Sequence, residues 1–153
     1  MLSTASVLLK LKANYPQFSF EQGDSFLWSS SNNTIYYDDN TSDQSIFLLH
    51  ELSHALLGHV SYDRDIQLIT MERQAWDQTL ELASSYGLTI PDSIIQSTLD
   101  SYRDWIHERS TCPICSATGL QTTKNTYVCP ACTNKWRVNE ARTCALRRYG
   151  VKT

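Results

Sequence analysis

Two histidines and a glutamate occupy three of five consecutive positions near residue 50. The stretch reads His50-Glu51-Leu52-Ser53-His54, and in a helix the first and fifth residues share one face. Both imidazoles can therefore bind one Zn²⁺, which lowers the pKa of a bound water toward neutrality. Glu51 lies about 100° further around the helix, so it can reach that water as a general base. The pattern predicts metal-dependent hydrolysis.

A catalytic zinc usually has three protein ligands, so a third ligand must come from elsewhere in the chain. One known arrangement places a histidine six residues after the second motif histidine, but that position is Val60, and His59 is one residue short. Glu72 is the better candidate, because we expect it in the first turn of the next helix. The segment from Gly58 to Thr70 is long enough to bring that helix back antiparallel to the motif helix. Glu72 would then complete the site begun by the two histidines.

Four of the five cysteines form two Cys-Pro-x-Cys pairs in the last third of the chain. The pairs are Cys112 with Cys115 and Cys129 with Cys132, and thirteen residues separate them. In a chain that is not exported, this spacing indicates a metal site rather than disulfides, with two redox dithiols as the alternative. Four thiolates leave zinc no open position, so this ion would be structural. The segment between the pairs predicts a short hairpin, and the whole pattern predicts a zinc ribbon that needs its metal to fold.

Apolar periodicity and turn residues predict the elements that must position these side chains. The motif helix should begin at Thr41, which can form a capping box with Gln44, and end at Gly58. His59 would then be a residue at the helix C-terminus, and a contact with substrate is the less favoured interpretation. Further helices are expected at residues 3–13, 70–86 and 91–109, and strands at 18–20, 26–28 and 34–37, the last closing an antiparallel hairpin.

Charge divides the chain into two modules. Residues 1–109 have a net charge of −9, whereas residues 110–153 have a net charge of +6. We therefore expect two domains with these bounds, an α+β domain and a small ribbon module. The apolar stretch Val7-Leu8-Leu9 is followed by Lys10 and Lys12, which makes it a poor signal-peptide core. With no apolar run that could span a membrane, the sequence predicts a soluble, cytoplasmic protein.

A family resemblance adds to this prediction. The sequence from Leu49 to His59, followed by Glu72-x-x-Ala75, resembles the ImmA/IrrE-like metallopeptidases, which are small gluzincins. The resemblance covers roughly residues 1–108 and implies a minimal zincin-like fold, with helices packed on a short antiparallel sheet. It also implies that the substrate aligns along an edge strand at residues 35–37.

The same resemblance implies a role for each residue of the site. The zinc ligands would be His50, His54 and Glu72, and Glu51 would be the general base. The family usually has Asn or Asp at the position of Trp76, so a hydrogen-bond partner of one ligand is missing or comes from elsewhere.

The predicted function is zinc-dependent endopeptidase cleavage of a specific protein, and the resemblance implies the type that cleaves transcriptional repressors. One alternative is a DNA-associated protease of the SprT-like type, which also has a C-terminal ribbon but uses a third histidine. Others are a non-catalytic zinc-stabilised binding module and a catalytically silent regulator. The basic ribbon, with Tyr127, Trp136 and Tyr149 among its cations, could bind nucleic acid or a protein partner.

Overall fold

The computed structural model describes residues 3–142 and 144–151, which contain four helices and seven strands. In chain order they are α1 (Thr4–Asn14), β1 (Ser19–Gln22), β2 (Leu27–Ser29), β3 (Thr34–Tyr37), α2 (Gln44–Leu56), α3 (Asp65–Ser85), α4 (Asp92–Ser110), β4 (Leu120–Thr123), β5 (Thr126–Val128), β6 (Lys135–Val138) and β7 (Arg148–Gly150). The strands form two small sheets, so the α+β class is confirmed. None of the helices in this part of the chain could cross a membrane.

These elements fall into two units. The first comprises the residues up to Ser61 together with Met71–Ile95, and the second comprises Tyr62–Thr70 and the residues from Gln96 onward. The second unit therefore takes in residues 62–70 and 96–109, which the charge pattern groups with the first module.

The sheet of the first unit has the order β1-β3-β2, with β3 in the centre. β2 pairs with β3 antiparallel, which is the predicted hairpin, but β1 pairs with β3 in parallel, so the expectation of a wholly antiparallel sheet is wrong. The expectation that residues 35–37 form an edge strand is wrong, because β3 is paired on both sides. Ile35 is fully buried in the central strand, between β1 and β2. The free edge nearest the motif helix belongs to β2.

The helix α2 carries the His-Glu motif and packs one face into the core of the first unit. Leu48, Leu49 and Leu52 are at most 1% exposed, and they contact α1 and the sheet through Val7, Leu11, Phe20 and Ile35. The predicted capping box is wrong, because α2 begins three residues later than expected, at Gln44. Its N-cap is Asp43, whose φ of 61° is left-handed and whose side chain makes no capping bond. Thr41 instead donates its hydroxyl to Asp38 at 2.6 Å.

The helix α3 begins at Asp65, five residues before the predicted start. The side chain of Gln67 explains this early start, because its Oε1 accepts hydrogen bonds from the N–H groups of Asp63 and Arg64 at 2.8 and 3.0 Å. Those N–H groups would otherwise lack partners at a helix N-terminus. Glu72 consequently lies inside α3 rather than in its first turn.

The second unit has an antiparallel sheet of four strands in the order β4-β5-β6-β7. β4 and β5 form the hairpin that the sequence predicts between the two cysteine pairs. Tyr127 and Trp136 stack in its core, with ring centroids 5.5 Å apart. A Cβ at position 119 would collide with the indole of Trp136, so the close approach of chain and ring requires Gly119.

Arg109 is the most deeply buried charged residue that the structure describes in the second unit, with 1% of its surface exposed. Its guanidinium lies 3.5 Å from the buried carboxylate of Asp65 and donates to the backbone carbonyl of Asn139 at 2.7 Å. Tyr127 also donates its hydroxyl to Asp65. The arginine therefore neutralises a carboxylate that is almost entirely shielded from water.

Arg109→Ala should lower the free energy of unfolding by about 3–5 kcal/mol, because it leaves the Asp65 carboxylate buried and unpaired. Arg103→Ala is the matched control on the same helix, since Arg103 forms an exposed pair with Asp100 at 2.8 Å. That change should cost about 0–1 kcal/mol. Urea unfolding of the full chain, followed by circular dichroism, measures both. Equal losses in the two variants would contradict the role of Arg109.

Candidate metal centres

Three side chains of the first unit converge as the sequence predicts. His50, His54 and Glu72 are 5%, 8% and 5% exposed, and one ligand atom from each lies within 4.8 Å of the others. The Nε2 atoms of His50 and His54 are 3.2 Å apart, and they lie 3.0 and 3.2 Å from the two carboxylate oxygens of Glu72. α2 supplies both imidazoles from successive turns of one face, and α3 supplies the carboxylate.

This cluster has the donor set and the electrostatics of a cation site. Burial by itself would raise the pKa of Glu72, but hydrogen bonds from the two imidazoles hold that pKa well below its ordinary value. Burial likewise opposes the charged form of His54, yet the hydrogen bond and charge of Glu72 raise the pKa of that imidazole. The group therefore stabilises positive charge at its centre. Two nitrogens and a carboxylate suit Zn²⁺, so the residues present fit that ion.

The glutamate of the motif lies beside this cluster and against the edge strand. The backbone N–H of Trp28, in β2, donates to Oε2 of Glu51 at 2.9 Å. Desolvation raises the pKa of Glu51, and this effect outweighs the lowering caused by His50 and His54. A carboxylate whose pKa moves toward neutrality is better suited to accept and return a proton near pH 7.

Trp76 contacts His50 through its ring. The two rings stack with centroids 4.1 Å apart and an interplanar angle of 26°. Among the described residues, Nδ1 of His50 and Nε1 of Trp76 are both buried and have no hydrogen-bond partner. On its Nδ1 side the ring of His50 is therefore held by packing against Trp76, whereas its Nε2 contacts Glu72.

His59 contacts the site in a way that the sequence interpretation missed. Its Nδ1 lies 2.9 Å from Nδ1 of His54, and its Nε2 lies 3.1 Å from Oε1 of Gln74. The indole N–H of Trp28 donates to the backbone carbonyl of His59 at 3.0 Å. The signal in the sequence is Gly58, because a glycine that ends a helix reverses the chain and returns the next side chain toward the last turn.

The four paired cysteines of the second unit form the other cluster. The Sγ atoms of Cys112 and Cys132 are 3.6 Å apart, those of Cys115 and Cys129 are 3.4 Å apart, and all four lie within 4.8 Å of one another. These separations exceed a disulfide bond by more than an ångström, so the cysteines are free thiols.

Each cysteine pair is built on the same turn. The N–H groups of Ser116 and Thr133 donate to the carbonyls of Cys112 and Cys129, and both donors are left-handed, with φ of 64° and 66°. Desolvation opposes ionisation of Cys112, but backbone N–H groups of the turn lower the pKa of its thiol to about 6. The thiolate is the form that binds metal. The cluster is compatible with the predicted zinc ribbon.

The aromatic residues of the ribbon correct one expectation. Tyr127 and Trp136 are each 1% exposed, so they cannot stack on a nucleic-acid base at the surface. Tyr149 is 41% exposed, and the guanidinium of Arg137 covers its ring at 4.9 Å. Two of the three aromatics therefore belong to the core of the second unit.

Comparison of the chain with known proteins gives no match to a family model, to a curated protein or to a solved structure.

Proposed function

We propose that the chain is a zinc-dependent endopeptidase with a second, structural zinc at the four-cysteine cluster. The observation that carries the proposal is the buried convergence of His50, His54 and Glu72 beside Glu51. Three ligands leave a fourth position on zinc open, as in catalytic sites, whereas the cysteine cluster closes all four. The first unit is then a minimal zincin-like domain, and its resemblance to the ImmA/IrrE-like peptidases rests on the residues of this site.

Each residue of the site has a separate role in peptide-bond hydrolysis. Zinc held by the two histidines and Glu72 would supply Lewis-acid polarisation of the scissile carbonyl and of the attacking water. Glu51 accepts the proton of that water and passes it to the leaving amine. The hydrogen bond from Trp28 fixes one oxygen of the Glu51 carboxylate, which limits its rotation during both transfers.

The edge strand β2 supports an extended peptide as the substrate. β2 has one neighbour, β3, and its residue Trp28 directs its N–H away from that neighbour toward Glu51. A segment that lies along this edge would pass beside the general base, while the N–H of Trp28 stays bound to Glu51. We therefore place substrate alignment at β2, not at residues 35–37, and propose a specific protein with an extended segment as the substrate.

Features of the same site bear on two alternative functions. Nδ1 of His50 has no hydrogen-bond partner among the residues that the structure describes, which favours a non-catalytic, metal-stabilised binding module. The SprT-like alternative requires a third histidine, but the third member of the cluster is Glu72, and His107 does not belong to it. Nucleic acid or a protein remains a proposed partner of the basic ribbon, and the protein is proposed to act in the cytoplasm.

The proposal is tested by counting zinc in purified protein. Wild type should contain two zinc ions per chain, and His50→Ala/His54→Ala should contain one, because only the cysteine cluster then has its ligands. His107→Ala is the matched control and should keep both ions. Inductively coupled plasma mass spectrometry gives the count, and circular dichroism checks the fold. One ion in both wild type and the double variant would contradict the catalytic site.

A further inference from the structure

We propose that His59, together with Gln74, is a positioning residue that orients the ligand His54 for the metal. This inference rests on the proposed metal site and extends it to two residues outside the cluster. His54 presents Nε2 to His50 and Glu72, so its other ring nitrogen, Nδ1, determines how the ring is held. That nitrogen contacts His59 at 2.9 Å.

With metal at Nε2 of His54 and the Gln74 amide oriented as in the structure, one arrangement of protons satisfies the contacts among His54, His59 and Gln74. His54 binds metal through the lone pair of Nε2, so its proton is on Nδ1 and is donated to His59. The Nδ1 of His59 then accepts, and its own proton is on Nε2, which donates to Oε1 of Gln74 at 3.1 Å. An amide oxygen is an obligatory acceptor, so Gln74 selects this tautomer of His59, and His59 in turn selects the metal-binding tautomer of His54.

The backbone fixes the ring of His59 in this place. Gly58, with a φ of +69°, ends the helix, and the N–H of His59 returns to the carbonyl of His54 at 3.0 Å. This bond is the six-residue closure of a Schellman motif. The indole of Trp28 binds the carbonyl of the same residue. His59 is therefore held through its N–H, its carbonyl and both ring nitrogens.

The two imidazole ligands differ in how they are supported. Within the described residues, Nδ1 of His50 has no hydrogen-bond partner, and stacking on Trp76 holds its ring. Between these two histidines, and within the described residues, Nδ1 has a hydrogen-bond partner that sets the tautomer only in His54. Such partners typically contribute tenfold to a hundredfold to metal affinity.

Three substitutions at position 59 separate hydrogen bonding from packing. His59→Ala removes ring and acceptor, His59→Phe keeps a ring without an acceptor, and His59→Asn keeps an acceptor at about the place of Nδ1. The zinc affinity of the full chain, measured by competition with a chelator, should fall by about tenfold to a hundredfold for Ala and Phe. Asn should stay close to wild type. His107→Ala serves as the histidine-loss control, and the ribbon zinc is an internal reference in every sample.

The absorption spectrum of Co²⁺ in the same site gives a second readout. Its ligand-field bands should shift in Ala and Phe, where the ring of His54 is free to turn, and remain as in wild type in Asn. Equal affinity in all variants would overturn the role of His59, and equal loss in all three would show that the acceptor is not what matters. If wild type binds no metal at His50, His54 and Glu72, the proposed function and this inference both fail. If wild type binds metal there and the variants do not differ from it, only this inference fails.

Discussion

Cys112→Ser/Cys129→Ser should leave the four-stranded sheet of the second unit unfolded. Among the described residues, the hydrophobic cluster of this sheet has five buried members, and two of them are the substituted cysteines, beside Tyr127, Trp136 and Val138. Without zinc, three side chains remain to stabilise a four-stranded sheet, which is too little buried surface for an independent fold. Binding of a structural zinc contributes on the order of 10–16 kcal/mol in small metal-dependent domains, so its loss exceeds ordinary folding stability.

Heteronuclear NMR of the full chain measures this effect, because the resonances of β4 to β7 should collapse into the unfolded region. Cys144→Ser is the matched control, since Cys144 is an exposed cysteine outside the cluster. It should retain the dispersed spectrum and the ribbon zinc. Dispersed resonances in the double variant would show that the sheet is stable without the metal.

Glu51→Gln should abolish most peptide hydrolysis without removing zinc. The amide keeps the size of the side chain and can still accept the hydrogen bond from Trp28, but it cannot take up the proton of the attacking water. Loss of a general base typically costs a factor of about 10² to 10⁴ in rate. Cleavage of a mixed library of unstructured peptides, followed by mass spectrometry, measures the rate and reveals the preferred sequence.

Glu21→Gln is the control for this substitution, because Glu21 is an exposed glutamate of β1. It should cleave the library as wild type does. Zinc content must be equal in the three proteins, so that a lower rate reports proton transfer and not loss of metal. Equal cleavage by Glu51→Gln and wild type would contradict the role of Glu51 as the base.

The sequence predicts the clusters better than it predicts the elements around them. His50 and His54 converge because the spacing of four residues in a helix allows little else, and the cysteine pairs converge because each is closed by its own turn. Glu72 also reaches its place although α3 begins earlier than expected. What matters for Glu72 is the face of α3 on which it lies, and an earlier helix start does not change that face.

The features that the sequence does not predict depend on contacts between distant residues. The central position of β3 follows from parallel pairing with β1, which local alternation of residues cannot reveal. The start of α3 depends on the side chain of Gln67, which lies inside the helix that it caps. The contact of His59 with His54 requires the chain reversal at Gly58 and the indole of Trp28, which is 31 residues away.

Trp28 has a consequence for how substitutions in this chain combine. Its backbone N–H binds Glu51, and its indole binds the carbonyl of His59, so one residue of an edge strand contacts both the proposed base and the proposed positioning residue of His54. Energetic effects of changes at residues that share a partner do not add. The effects of substitutions at Trp28, Glu51 and His59 on stability are therefore coupled. Whether a substitution at one of these residues is tolerated depends on which residues occupy the other two positions.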